Sequence, residues 1–348
     1  MNLSEFFEDK KILVCGGTGS IGSEIVSQLL KLNPKTIRIL SNSENELWET
    51  KIRFKNSAKK IRFLLGDIRN LERVKRAIVD VDYVFNAAAI KHVPFSEYNP
   101  MESINVNVHG LENIIEASLL YNVKNLVHIS TDKAVSPTTV MGATKMLGER
   151  LCISRDFAKG SHPTNISCVR FGNVLGSRGS IIPLIEKQIK NGSVVTLTDE
   201  KMKRFFMSIT DAAKLVLKSM VLAQGGEIFV LKMPIFKIID LFEVLIERSA
   251  IKYGKNPSDI KVEKIGIRAG EKLDEDLISS IEFSSCYETE DMYIIFPPQD
   301  GEFNYLSEKD LSNYKKIEIN DDFNYSTFNN VPLNKEEIKK ILDNLKLE

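Results

Sequence analysis

Thr131, Asp132 and Lys133 set a hydroxyl, a carboxyl and an amine side by side, directly after the apolar run Leu126–Ser130. These are groups that move protons, and a carboxyl beside an amine can act as an acid and a base on one ligand. An adjacent Asp-Lys is also the ordinary makeup of a solvated turn. Lys133 serves as a base only if partial burial or nearby cations lower its pKa. Met141 and Lys145 lie four residues apart and so share one helix face. Upstream, Gly16-Gly17-Thr18-Gly19-Ser20-Ile21-Gly22 follows the apolar run Lys11–Cys15 and opens a helical pattern. Glycines at 16, 19 and 22 permit a sharp turn, close approach of backbone to a pyrophosphate and tight helix–sheet packing. The helix N-terminus then presents free N–H groups to phosphate.

The stretch Leu40-Ser41-Asn42-Ser43-Glu44-Asn45 holds no arginine for a 2′-phosphate, and Glu44 would repel one, so NAD is expected over NADP. Asp67 suits a hydrogen bond to an adenine amino group, with Ile68 beside it. Asn86-Ala87-Ala88-Ala89 offers small residues where backbone must pass close to a cofactor. With Thr18, Ser20, Ile21, Ser43 and Lys91, these complete the expected dinucleotide site.

Strands are expected at Lys11–Cys15, Thr36–Leu40, Ile61–Leu65, Tyr83–Asn86, Leu126–Ser130 and Ser167–Arg170, with helices at Ile21–Leu32, Leu71–Val79, Met101–Tyr121 and Val140–Phe157. Short apolar runs alternating with helical patterns give βαβ units. Near-continuous apolar strands imply a sheet covered on both faces, so a Rossmann-type, doubly wound parallel α/β sheet is predicted. Asp132 and Lys133 then fall at its carboxyl edge, where ligands of such sheets bind. From about Gly172 the regularity decays. Gly226–Leu231 and Asp291–Phe296 read as isolated strands and Leu333–Leu347 as an amphipathic helix. Residues 1–170 are expected to form the NAD(P)-binding domain, with later segments returning to it. Residues 171–348 would form mainly a smaller, interleaved α/β substrate domain and tail.

The 348 residues suit about two domains. Lys plus Arg and Asp plus Glu both number 47, so no global field recruits nucleic acid or an anionic membrane. Four scattered cysteines read as reduced thiols, and no His/Cys cluster would hold a metal. No apolar run nears the roughly 20 residues of a membrane span, and no signal peptide is evident, so a cytoplasmic protein is expected.

The segments Ala87-Ala88-Ala89-Ile90-Lys91-His92-Val93-Pro94, Ser130-Thr131-Asp132-Lys133-Ala134, Arg170-Phe171-Gly172-Asn173-Val174, Arg204-Phe205-Phe206-Met207 and Gly266-Ile267-Arg268-Ala269-Gly270-Glu271-Lys272 resemble the extended short-chain dehydrogenase/reductases. Within them the chain looks like the nucleotide-diphosphate-N-acetylglucosamine 4,6-dehydratases of flagellin glycosylation and polysaccharide biosynthesis. The resemblance runs from Gly16 to at least Ser279. It implies a lyase that converts UDP-N-acetylglucosamine to a UDP-4-keto-6-deoxy-N-acetylhexosamine. The steps are C4 oxidation, C5/C6 elimination of water and hydride return to C6, on a tightly held, recycled NAD, with NADP the alternative. It makes Asp132 the acid for the C6 hydroxyl and Lys133 the base for the C5 proton. Lys145 would bind the nicotinamide ribose and Asn107 would support it. Where Met141 stands the superfamily usually has a tyrosine that takes the C4 hydroxyl proton. A thioether cannot, so Asp132, directly or through water or Thr131, is the substitute. Asn173, Arg204, Arg268 and Lys91 would contact the sugar nucleotide, with Glu271 near its ribose. A homo-oligomer is implied. The rivals are the same reaction on GDP-N-acetylglucosamine, a nucleotide-sugar 4-epimerase, and an inactive NAD-binding regulatory protein.

Overall fold

A computed structural model describes residues 2–192, 194–297, 311, 314–317 and 325–345. The chain opens with α1 (Leu3–Phe7), β1 (Lys11–Cys15), α2 (Ser20–Leu30), β2 (Thr36–Ser41), α3 (Glu44–Arg53), β3 (Ile61–Leu65), α4 (Leu71–Ile78) and β4 (Tyr83–Asn86). It continues through α5 (Val93–Tyr98), α6 (Pro100–Ile104), α7 (Gly110–Leu120), β5 (Asn125–Ile129), α8 (Val140–Phe157), β6 (Asn165–Arg170) and β7 (Asn173–Leu175). Next come α9 (Ile181–Asn191), β8 (Val194–Leu197), β9 (Lys203–Ser208), α10 (Ile209–Leu222), β10 (Ile228–Leu231), β11 (Ile235–Lys237) and α11 (Ile238–Lys252). The last elements are β12 (Lys261–Lys264), β13 (Cys286–Glu288), β14 (Met292–Ile295), β15 (Lys315–Lys316) and α12 (Lys335–Asp343).

Ten strands form one sheet in the order β15-β13-β14-β10-β6-β5-β4-β1-β2-β3. From β3 across to β10 every pairing is parallel, and β14, β13 and β15 close that side antiparallel. The strand order reverses between β1 and β4, which opens a crevice at their carboxyl ends. β4 and β5 are buried at every residue, as strands covered on both faces must be. β10 and β14 are not isolated. Ile228–Leu231 and Met292–Ile295 pair with each other inside the main sheet, and an exposed strand-length gap there would have left apolar side chains wet.

The helix expected across Met101–Tyr121 is broken. α6 ends at Ile104, a π-helical turn spans Asn105–His109, and α7 begins at Gly110. Such a bulge re-aims one residue, and here the residue turned inward is Asn107. α8 is capped by Thr139, whose hydroxyl accepts from the Gly142 N–H at 3.1 Å. A second core gathers Leu175, Ile185, Val195, Phe206, Phe236 and Leu241 between α9, α11 and the short strands. β9 lies between β7 (parallel) and β11 (antiparallel), and β8 pairs with β12. α12 packs Ile338 and Leu342 into this core and carries a capping box from Asn334 and Glu337. It is shorter than the predicted Leu333–Leu347, whose residues 346–347 lie outside the described ones.

Candidate active site

The β1–α2 turn lies at the crevice. Gly16 adopts φ +71°, and a Cβ there would sit 2.7 Å from the Cα and N of Ala88. A Cβ on Gly22 would sit 2.3 Å from the Gly16 carbonyl oxygen. Side chains at either position would collapse the turn onto its neighbours. α2 begins at Ser20 with no side-chain cap from Gly19, so its first N–H groups are free to meet an anion. This cradle fits a dinucleotide pyrophosphate.

At the end of β2, Ser43 caps α3 and accepts from the Glu46 N–H at 3.3 Å. The carboxylate facing the glycine turn is Glu46, whereas Glu44 sits exposed. Glu46 accepts from the Thr18 hydroxyl at 2.7 Å and from Arg178 at 2.8 Å. Arg178 also donates to the Thr18 carbonyl at 2.6 Å, and its backbone N–H reaches the Ser20 hydroxyl at 3.0 Å. Lys91 donates to the Arg178 carbonyl at 2.9 Å, and burial, helped by Arg178, lowers the Lys91 pKa. Asp67 is gripped by Arg69, with 2.7 Å to the guanidinium, which holds its carboxyl below the ordinary value despite burial. Ile68 is buried, its side chain filling the space over Gly110. Ile21 packs against the main core, as do Ala87 and Ala88. Ala87 donates to the Cys15 carbonyl at 2.9 Å, which lays the segment through Ala89 along β1.

Beyond β5, Asp132–Ala134 form a single 3₁₀ turn with Thr131 as its cap. The Asp132 carboxyl is fully buried. Its Oδ1 accepts from the Thr131 hydroxyl at 2.8 Å and from Lys133 Nζ at 3.0 Å, while Oδ2 has no partner among the described residues. A buried carboxylate oxygen without a donor is costly unless a ligand completes it. The Asp-Lys pair is thus no solvated turn. Lys133 differs from the sequence expectation. Burial depresses its pKa, but the Asp132 and Glu275 carboxylates outweigh that and raise it above the ordinary lysine value. The resting side chain is therefore a firmly held ammonium.

Lys145 donates to the Ile129 carbonyl at 2.6 Å, just before the turn. Burial lowers its pKa to about 8, against a smaller upward pull from Cys168, Glu149 and Cys152. Met141, one turn earlier on α8, is also buried. Asn107 holds Ile90 at both backbone groups, 2.8 and 3.0 Å, and donates to the Thr144 hydroxyl at 3.0 Å. It thereby locks the Ala87–Pro94 segment to α8 at Thr144, the residue before Lys145.

The segment 266–275 folds back over this turn. Thr138 donates to the Gly270 carbonyl at 2.6 Å, and Lys272 to the Val135 carbonyl at 3.0 Å. Arg268 and its loop are exposed, with the Arg268 N–H 3.4 Å from Glu271. Arg204 is buried, and its donors reach the carbonyls of Lys203, Lys272 and Leu273 at 2.8, 2.7 and 2.8 Å. In this conformation it ties β9 to the 270s and lies 3.7 Å from Glu271. Asn173 donates to the Phe205 carbonyl at 3.2 Å.

Further residues that the sequence reading gave no role also frame the site. Glu275 is buried 3.7 Å from Lys133 and 3.8 Å from Arg204. Arg170, at 2% exposure, bridges Glu149 at 2.6 Å and Glu282 at 2.9 Å. Ser130 donates to Glu149 at 2.6 Å, so this network braces α8 against the strand end that carries Thr131. The acidic run Asp274-Glu275-Asp276 reads as a surface turn, and nothing local marks its middle residue as buried. Among the described residues no cluster could hold a metal, and no helix is long and apolar enough to cross a membrane.

Residues 12–297 match the family model described as polysaccharide biosynthesis protein. An "Uncharacterized membrane protein" of Methanocaldococcus jannaschii is 52% identical, covering 98% of this chain and 97% of that one. A UDP-N-acetylglucosamine 4,6-dehydratase (inverting) of Campylobacter jejuni is 40% identical over 93% of this chain and 94% of its own. A UDP-glucose 4-epimerase of Rickettsia canadensis is also 40% identical, over 97% and 96%. The X-ray structure of Pen from Bacillus thuringiensis superposes with a TM-score of 0.90 at 42% identity, covering 99% of this chain and all of that one.

Proposed function

Given that the chain belongs to the polysaccharide biosynthesis protein family, we propose that it is a nucleotide-sugar 4,6-dehydratase acting on UDP-N-acetylglucosamine, with NAD in the β1–α2 cradle. The observation that carries this reading is the Asp132–Lys133 pair, 3.0 Å apart, its carboxyl fully buried with one oxygen left open among the described residues. A 4-epimerase needs no base for the C5 proton, and an acid and an amine joined at the carboxyl edge suit elimination.

The β1–α2 turn with Gly16, Gly19 and Gly22 would hold the dinucleotide, which would supply a hydride acceptor for C4 and a donor for C6. The protein's own residues handle protons. Thr131 can accept from the C4 hydroxyl while its own O–H points at Asp132, 2.8 Å away, which fills the role that Met141 cannot. Asp132 then protonates the departing C6 hydroxyl, and Lys133 takes the C5 proton. Residues 1–170 would supply the cofactor side. The exposed Arg268 loop, with Glu271, would face the nucleotide. Asp67 would reach the adenine only by sharing its grip on Arg69.

Incubation with UDP-N-acetylglucosamine, followed by NMR and mass spectrometry, tests the reading. The expected product is a 4-keto-6-deoxy sugar lighter by one water. A C4 epimer of unchanged mass would mean epimerase, no change with any sugar nucleotide would mean a catalytically silent protein, and turnover of the GDP sugar alone would move the nucleotide assignment.

A further inference from the structure

We propose that Glu275 is a positioning residue for proton traffic, the third site in the cluster, which takes one proton from Lys133 before Lys133 acts on carbon and returns it afterwards. The inference rests on the dehydratase reading and comes from counting protons around the buried cluster.

In the resting site Asp132 accepts from Lys133, so the carboxylate and the ammonium are an ion pair. C4 oxidation releases the hydroxyl proton, which passes through Thr131 to Asp132. Asp132 is now a carboxylic acid, ready for the C6 hydroxyl, but Lys133 is still an ammonium and cannot take a proton from C5. Asp132 is fully buried and already protonated, and the Lys133 side chain, though 27% exposed, has Glu275 as its other carboxylate neighbour. Glu275 is the acceptor that the cluster itself supplies. Its Oε1 lies 3.7 Å from Lys133 Nζ, and its Oε2 is buried without a partner among the described residues. A closure of about 0.5 Å would bring the pair to hydrogen-bond distance.

The cycle then balances. Glu275 takes a proton from Lys133, leaving a neutral amine. Lys133 takes the C5 proton as the C6–O bond breaks, and Asp132 protonates the leaving oxygen, which departs as water. The two electrons removed at C4 are those restored at C6. Lys133 gives a proton back to C5, and Glu275 returns its proton to Lys133. All three groups end as they began, and the C4 hydroxyl proton has left in the water.

The surroundings of Glu275 suit a group that changes state. Burial pushes its carboxyl upward and Asp132 adds to this, against the pull of Lys133, Arg204 and Lys272, leaving it above the ordinary glutamate value. Arg204, one of these cations, also lies 3.7 Å from Glu271. The Glu275 backbone is fixed independently: its N–H reaches the Thr327 hydroxyl at 3.0 Å, and its carbonyl accepts from the Thr327 N–H at 2.9 Å. A glutamine should keep this frame while removing the proton site.

The test is Glu275→Gln and Glu275→Asp in the full chain with saturating UDP-N-acetylglucosamine. Glu275→Gln should bind the sugar nucleotide within about twofold of wild type but lose roughly 10²-fold in kcat at neutral pH. Its kcat should climb with pH, as hydroxide replaces the missing acceptor, where the wild type is flat. Glu275→Asp should recover part of the rate. A Glu275→Gln enzyme with wild-type kcat and a flat profile would overturn the inference. If that variant does not fold, an aspartate variant with unchanged kcat and profile would do the same. A wild type that forms no dehydrated product would instead overturn the dehydratase reading.

Discussion

Replacing Arg170 with leucine removes a side chain that is 2% exposed and uses all its donor groups. It donates to both oxygens of Glu149 at 2.9 and 2.6 Å, to both oxygens of Glu282 at 3.1 and 2.9 Å, and to the Leu277 carbonyl at 2.8 Å. The two carboxylates fare differently after its loss. Glu282 keeps the N–H and hydroxyl of Ser279, both at 2.8 Å, and is partly exposed. Glu149 keeps only the Ser130 hydroxyl as a donor among the described residues and stays buried. Breaking one partner out of a buried pair costs about 3–5 kcal/mol, because a charge remains without compensation. On a chain of this size that corresponds to a Tm lower by about 4–7 °C. Burial raises the Glu282 carboxyl, but Arg170 and Ser279 outweigh that and hold it below its ordinary value. A carboxyl held low stabilises the fold above its ordinary value, and the contribution fades as pH falls through the folded value. The gap between wild type and Arg170→Leu should therefore narrow in acid. Urea unfolding at neutral pH and near pH 4 measures it, and adding Glu149→Gln should recover part of the loss. A neutral-pH difference under about 1 kcal/mol, or a gap that widens in acid, would refute the reasoning.

Asp132→Asn should keep sugar-nucleotide binding while turnover falls about 10²–10⁴-fold, as expected for loss of a placed acid. Steady-state kinetics with calorimetric binding checks it, and retention of a quarter of wild-type turnover would remove Asp132 from that role. Cofactor released from purified protein and identified by mass spectrometry should be NAD. The expectation rests on Glu46, whose carboxylate is held against Thr18 of the glycine turn and would repel a 2′-phosphate bound beside it. The double change Asn42→Arg with Glu46→Lys should move preference toward NADP by at least about tenfold, the scale of one charge-assisted contact.

The parallel half of the fold was legible because its strands are apolar on both faces and its turns are marked by glycine. Lys11–Cys15, Ile61–Leu65, Tyr83–Asn86 and the helix Val140–Phe157 fall where expected. The break at Asn105–His109 was not legible, since Val106, Val108 and Leu111 keep an apolar pattern through the π turn and only tertiary contact with Ile90 selects it. β10 and β14 each read as lone strands because their pairing joins residues more than 60 positions apart. In the site, Asp132 and Lys133 were legible as a carboxyl beside an amine at a strand's carboxyl end, while their roles and that of Lys145 came from the family resemblance. The protonation of Lys133 was not legible, because two carboxylates, one of them 142 positions away at Glu275, override burial. Glu46 was overlooked for Glu44 for a helical reason: the first residue of α3 points to solvent, and the third turns back onto Thr18.

In the proposed reaction Lys133 takes a proton from C5 of a sugar whose C4 has been oxidised. Turnover of UDP-N-acetylglucosamine in D₂O, read by NMR of the product, measures this step. Deuterium is expected at C5, supplied by the exchanged Lys133 ammonium, with no solvent deuterium in the hydrogen transferred from C4 to C6. Lys133→Ala should release almost no 4-keto product. Product with hydrogen retained at C5, or an unimpaired Lys133→Ala enzyme, would contradict it.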